Sequence, residues 1–182
     1  IQNSYYGIDV ASSSNIIQGN SIAYCSVGIF MVEVWNTSIT ENRITYNDYG
    51  IDTNSVFNLT ISGNNIINND VGIQFYWAFN SVISGNSITN NGRGIYLESS
   101  SNNTISGNSI TNNWFEGIVL GASSSNIISG NGITNNGELG IGLVYSSNNY
   151  IYHNNFIDNP LQVYISASNN VWDDGYPSGG NY

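Results

Sequence analysis

This chain contains no lysine and only two arginines, Arg43 and Arg93, against twelve acidic residues. No cationic surface able to neutralise phosphates can be assembled from it, which excludes nucleic acid as a partner. The net charge of -10 comes from scattered carboxylates, not from an acidic tail. Cys25 is alone, so there is no disulfide framework, and packing with backbone ladders must hold the fold. No apolar run approaches the ~18 residues of a membrane span, no signal peptide is evident, and no stretch favours a helix. The chain starts at Ile1 without Met and stops inside a Gly-rich tail, as expected of a piece processed or excised from something longer.

What is present is a repeat. Gly-Ile recurs at Gly7-Ile8, Gly28-Ile29, Gly50-Ile51, Gly72-Ile73, Gly94-Ile95, Gly117-Ile118 and Gly140-Ile141, with a degenerate copy at Gln162-Val163. Asn20, Asn42, Asn64, Asn86, Asn108, Asn131 and Asn154 keep step, usually after a Gly. A period of 22 to 23 residues without helix makes each repeat one coil of a solenoid whose core comes from stacking. Asn, Ser, Thr and Gly in such quantity would otherwise suggest disorder; the regular Ile positions overrule that.

Three columns are aliphatic. One runs through Ile8, Ile29, Ile51, Ile73, Ile95, Ile118, Ile141 and Val163, with a companion two residues on from Val10 to Ile165; the others are Ile17 to Ile151 and Ile22 to Phe156. Each coil therefore has three short strands pointing aliphatic side chains inward. The second and third columns lie five residues apart, an odd offset that demands a corner between them. Gly-Asn supplies it, because both residues tolerate positive φ, and stacked Asn side chains are expected to form an amide ladder between coils. The expected fold is all-β: a right-handed parallel β-helix of about eight coils, roughly 38 Å long at about 4.8 Å per coil. Residues 1–171 form one β-helix domain, and 172–182 are a Gly-rich C-terminal tail that begins a closing or linking segment.

The unit from Asn102 through Thr104-Ile105-Ser106-Gly107-Asn108-Ser109-Ile110-Thr111 to Asn113, followed by Gly117-Ile118, resembles repeats of the NosD-like, pectate-lyase-like β-helix superfamily of the carbohydrate-binding and sugar-hydrolase group. The tail from Asn170 to Tyr182 resembles segments that close such repeats in archaeal surface proteins. The resemblance implies the fold strongly and an activity weakly, since the superfamily holds lyases, hydrolases, epimerases, a copper-processing accessory protein and surface proteins without known chemistry.

Residue by residue, most of those activities find little support. Arg43 and Arg93 occupy different columns; Arg93 has Glu116 in the matching slot one coil on, so a surface ion pair is the simplest assignment. Asp9 and Asp52 project outward two coils apart, about 10 Å, with Phe30 between them. A copper site needs soft or imidazole ligands brought together, but His153, Met31 and Cys25 are remote in the coil scheme. Asp48 and Asp70 should stack on adjacent coils; with Asn47, Asn68 and Asn69 they are a candidate Ca²⁺ site, and the plainer alternative is a solvated turn. No other cofactor is expected.

Trp35, Phe57 and Phe79 occupy one slot on three consecutive coils, with Tyr76 and Trp77 close by. Such a row stacks on sugar rings or packs against another protein, or it caps the solenoid edge. Trp114-Phe115-Glu116 and Gly137-Glu138-Leu139 carry the extra residue of the two 23-residue coils, for which a bulge is the minimal explanation. The three Asn-x-Ser/Thr sequons, at Asn36, Asn58 and Asn102, share one outward slot and are candidate glycosylation sites, although Thr is common in that strand. The expectation is a non-catalytic extracellular β-solenoid acting as a structural or adhesive module of a cell-surface protein or filament. Its expected partners are neighbouring domains or its own ends, with no insertion into membranes. The alternative is a carbohydrate-binding or polysaccharide-processing domain.

Overall fold

The computed structural model describes residues 1–175, 177 and 179–182. Every strand is parallel to its neighbours, and the strands form three sheets. The first sheet stacks eight strands from Tyr6–Val10 to Leu161–Ser166; the second stacks seven from Ile16–Gln18 to Tyr150–Tyr152, and the third seven from Ser21–Ala23 to Asn155–Ile157. The chain is thus a right-handed parallel β-helix of seven complete turns plus the first strand of an eighth, one short of the eight expected. After Ile165 the eighth repeat has one branched aliphatic residue, Val171, which makes only an isolated bridge, so two sheets end a turn early.

Register follows the repeat. Ile29 pairs with Ile51, Ile61 with Ile83 and Ile88 with Ile110. These isoleucines are fully buried, as are Met31, Phe75, Leu97 and Leu120 in the companion column. Thr53 sits in that column too, its hydroxyl donating to the carbonyl of Gln74. The recurring glycine before each first-sheet isoleucine answers to space. A Cβ on Gly28, Gly50 or Gly94 would approach the carbonyl oxygen of the next turn's glycine to 2.4–2.5 Å. The corner glycines answer to conformation: Gly19, Gly63, Gly85, Gly107 and Gly130 have φ between 62° and 70°.

The expected amide ladder runs the length of the rod, and the structure adds others. From Asn20 to Asn154 each side-chain amide donates to Oδ1 of the next Asn at 2.8–3.0 Å, and the tail's Asn181 extends the series. A second ladder joins Asn47, Asn69, Asn91, Asn113, Asn136 and Asn159 at the corner between the third and first sheets. A third joins Asn103, Asn126, Asn149 and Asn170 before the second sheet. The hydroxyls of Ser100, Ser123, Ser146 and Ser168 make a shorter column. Among the described residues no buried side-chain nitrogen or oxygen lacks a partner, the condition under which an interior this polar is stable.

The tail closes part of the C-terminal end. Val171 bridges to Tyr150, Tyr182 exchanges backbone hydrogen bonds with Asn154 and Phe156, and Trp172 packs on the core. Leu161, Tyr164 and Ile165 of the last first-sheet strand remain exposed.

Candidate functional site

The aromatic row exists, and a local lengthening of two strands builds it. Tyr49–Phe57 and Val71–Phe79 run for nine residues where most first-sheet strands have six. They pass a left-handed residue, Ser55 or Trp77, before ending at Phe57 and Phe79. Phe57 pairs with Phe79, Trp35 bridges to Phe57, and Ser101 takes the slot next to Phe79. Trp35 and Phe57 are about half exposed, and Phe79 is partly covered. Trp77 stands at the corner beside this row, 51% exposed. Tyr76 belongs to a different surface, the outer face of the first sheet, where its ring meets Tyr96 edge-on at 6.2 Å.

That outer face carries the titrating groups. Tyr96 donates to Glu98 at 2.8 Å, and the Arg93 guanidinium lies 5.7 Å from the Tyr96 ring centre. Burial, the Glu98 hydrogen bond and the Glu98 charge push the Tyr96 hydroxyl up to about 12. Asp52 accepts a hydrogen bond from Gln74 at 3.1 Å and is raised above the usual carboxylate range, because burial outweighs that bond and one from the Thr53 backbone. Asp9 and Asp52 flank Phe30 in register, and Phe30 stacks on Tyr6 at 4.8 Å. The two carboxylates are therefore separated by a ring. The expected Arg93–Glu116 ion pair is present at 2.9 Å.

Asp48 and Asp70 lie on adjacent turns, both exposed, with the Val71 amide donating to the Asp48 carbonyl at 2.9 Å. Two neighbours expected to help them hold Ca²⁺ are spent elsewhere. Asn47 and Asn69 are buried ladder residues; Oδ1 of Asn69 accepts from both the backbone and the side-chain amide of Asn47. Sequence reasoning found one amide ladder and missed this second one, whose signal is the same 22- to 23-residue spacing.

Asn36, Asn58 and Asn102 all sit in left-handed conformation at one exposed corner, with φ of 54°, 56° and 59°. Asn58 donates its side-chain amide to Asn36 at 2.6 Å. The turn itself favours Asn at this position, so the shared slot has a conformational cause apart from any modification.

The 23-residue coils hold a feature that sequence reasoning reduced to a bulge. The added residue lies in the corner between Asn113 and Glu116, outside the strand ladders, and pushes Trp114 and Phe115 into solvent. Together with Asn68, Asn69, Asp70, Asn90 and Gly92 they line an open groove of about 330 Å³.

The right-handed β-helix family matches residues 1–96, and the family described as periplasmic copper-binding protein (NosD) matches residues 54–182. The chain belongs to this NosD family of β-helix proteins. No curated protein matches it significantly. Among solved structures it resembles the periplasmic alginate epimerase AlgG at 21% identity and a TM-score of 0.73, covering 93% of this chain and 49% of that one. It also resembles DFA-IIIase from Arthrobacter chlorophenolicus A6 (16% identity, TM-score 0.74, 93% and 51%). A third likeness is to the enzymatically active domain of bacteriophage CBA120 tailspike protein 2 (15%, 0.71, 94% and 35%). The chain spans about half or less of each of these proteins. At these identities the likeness is one of fold.

Copper does not fit the residues present. The chain has one His, one Cys and one Met. Met31 is fully buried in a core column and Cys25 is buried near the N-terminal end. His153, in the corner slot six turns after Gly19, lies beside Asp174 at 3.4 Å, roughly 25–30 Å along the axis from the other two at about 4.8 Å per turn. Among the described residues no three His, Cys, Asp or Glu gather.

Proposed function

We propose that this chain is an extracellular or periplasmic β-solenoid module with a structural or adhesive role, presenting a rigid polar rod at a cell surface. The observation that carries this reading is the investment of side-chain chemistry in stacking. Beyond the first member of each ladder, every Asn uses its oxygen twice and its amide at least once, chiefly on neighbouring turns, which makes a stiff rod. The groups that acid–base chemistry would need are dispersed: Phe30 separates Asp9 from Asp52, and Glu116 holds Arg93. Incubation with alginate and with neutral polysaccharides, followed by chromatography of the products, is expected to leave every polymer unchanged. Chain cleavage or epimerisation by the purified protein overturns the reading.

A carbohydrate-binding role is the second reading, favoured by the register of Trp35, Phe57 and Phe79. Rings repeated at about 4.8 Å offer a continuous apolar strip, and the β-helix enzymes similar in fold include one named for alginate and one carrying the ligand GF2.

A further inference from the structure

We propose that the corner formed by Trp114, Phe115, Gly92, Asp70 and Asn90 is a binding subsite for a neutral glycan, with Trp114 as the platform for a sugar ring. It goes beyond the structural role and narrows the carbohydrate reading, on which it rests, to one site and one ligand class. Trp114 is 75% exposed and Phe115 48%, and both protrude because their coil has one residue more than those before it. Trp114 and Phe115 are adjacent and border the same groove, and a contiguous apolar patch rimmed by polar residues is the kind of surface that marks an interaction site. Among the described residues neither ring makes an aromatic contact with another side chain, whereas Tyr24 and Tyr46, at a nearby corner, stack on each other at 5.2 Å.

The groove beside the rings has a built floor. Gly92 lies on the turn between Asp70 and Trp114, and a Cβ there would come within 2.3 Å of the Asp70 carbonyl oxygen. Only glycine allows the two turns to approach this closely, and the groove floor is therefore bare backbone. Backbone hydrogen bonds hold its walls: the Gly92 amide donates to Asn69, the Trp114 amide to Asn91 and the Phe115 amide to Gly92, at 2.8–2.9 Å. Asn68 and Asn90 stand at the rim in left-handed conformation, φ 56° and 57°, and their side-chain amides make no hydrogen bond among the described residues. An aromatic face beside unengaged amides and a carboxylate matches a pyranose, which has one apolar face and a rim of hydroxyls.

Charge selects among glycans. The groove and its continuation are lined by Asp70, Glu116 and Glu138 against the single cation Arg93, which Glu116 already neutralises. With a net charge of -10 on the whole chain, a polyuronate meets repulsion at this corner. A neutral hexose polymer does not.

The test is calorimetric titration of the whole chain with cellohexaose, maltohexaose, chitohexaose and a mannuronate hexamer, repeated with Trp114→Ala and Trp35→Ala. Both tryptophans are exposed, and thermal melts confirm that the variants fold. At least one neutral hexamer is expected to bind, with affinity falling about tenfold or more in Trp114→Ala and by far less in Trp35→Ala. The mannuronate hexamer is expected to bind more weakly than the neutral one. Loss of binding in Trp35→Ala with none in Trp114→Ala overturns this subsite while leaving carbohydrate binding in place on the other row. Tighter binding of the acidic hexamer overturns the ligand class, and absence of binding to all four overturns both.

Discussion

The side-chain oxygen of Asn108 accepts two hydrogen bonds from Asn86, one from its backbone N–H and one from its side-chain amide, each at 3.0 Å. Asn108 in turn donates its amide to the Ile83 carbonyl and to Asn131, both at 2.9 Å. One residue thus satisfies polar groups on both neighbouring turns within a dry interior. Asn108→Ala is expected to destabilise the fold by about 3 kcal/mol or more, because several buried donors and acceptors lose partners at once. Chemical denaturation of the purified variant measures this.

Substitution in the aliphatic columns should be equally severe. Ile83 and Ile105 are paired and fully buried, so Ile83→Asn or Ile105→Asn is expected to cost several kcal/mol by placing an unpaired amide among isoleucines. Ser84 points outward, and Ser84→Ala should cost less than about 1 kcal/mol. Melts that rank these variants alike would contradict the observed orientation of the strand.

Asp52 links stability to pH. Its folded-state value lies above the ordinary one because burial penalises the charge. The folded chain then retains the proton longer than the unfolded chain, so stability falls as pH rises from the unfolded value through the raised folded one. Asp52→Asn removes that loss and keeps an oxygen for Gln74. Its melting temperature is expected to exceed the parent's at pH 7, with the difference vanishing near pH ~3, where both states hold the proton.

Copper binding by this chain alone is expected to be weak and non-stoichiometric. His153, Cys25 and Met31 lie too far apart to share an ion, and two of them are buried. Competition against a copper(I) chelator, with bound metal measured after desalting, checks this; one equivalent retained against the chelator would contradict it.

In a host that N-glycosylates, Asn102 is expected to carry sugar ahead of Asn58. Asn102 is exposed and its side chain makes no hydrogen bond among the described residues, whereas the Asn58 amide is held by Asn36. Peptide mapping decides, and an unmodified Asn102 beside a glycosylated Asn58 would reverse the order.

Much of the fold was legible because a solenoid repeats its instructions. Isoleucine every 22 to 23 residues reveals the strands, and the odd spacing between Ile83 and Ile88 reveals a corner. The same logic reaches the Asn86–Asn108 ladder but not Asn91–Asn113, since Asn47 and Asn69, beside Asp48 and Asp70, also fit the pattern of metal ligands. Where the repeat breaks, sequence reasoning weakens. The extra residue at Trp114 reads as a bulge, and Gly92 shows no periodic meaning.

The sequence by itself determined the parallel stacking, the inward columns and the glycine corners, because each depends on residues one period apart, and translation along the axis turns period into contact. Only the tertiary structure decided which asparagines face inward and which stay in water. It decided too that the tail's Asn181 and Tyr182 complete the end of a sheet, and that Trp114, Gly92 and Asp70 meet in one groove. These outcomes depend on how corners turn and where side chains of unlike residues converge, and no period in the chain encodes that geometry.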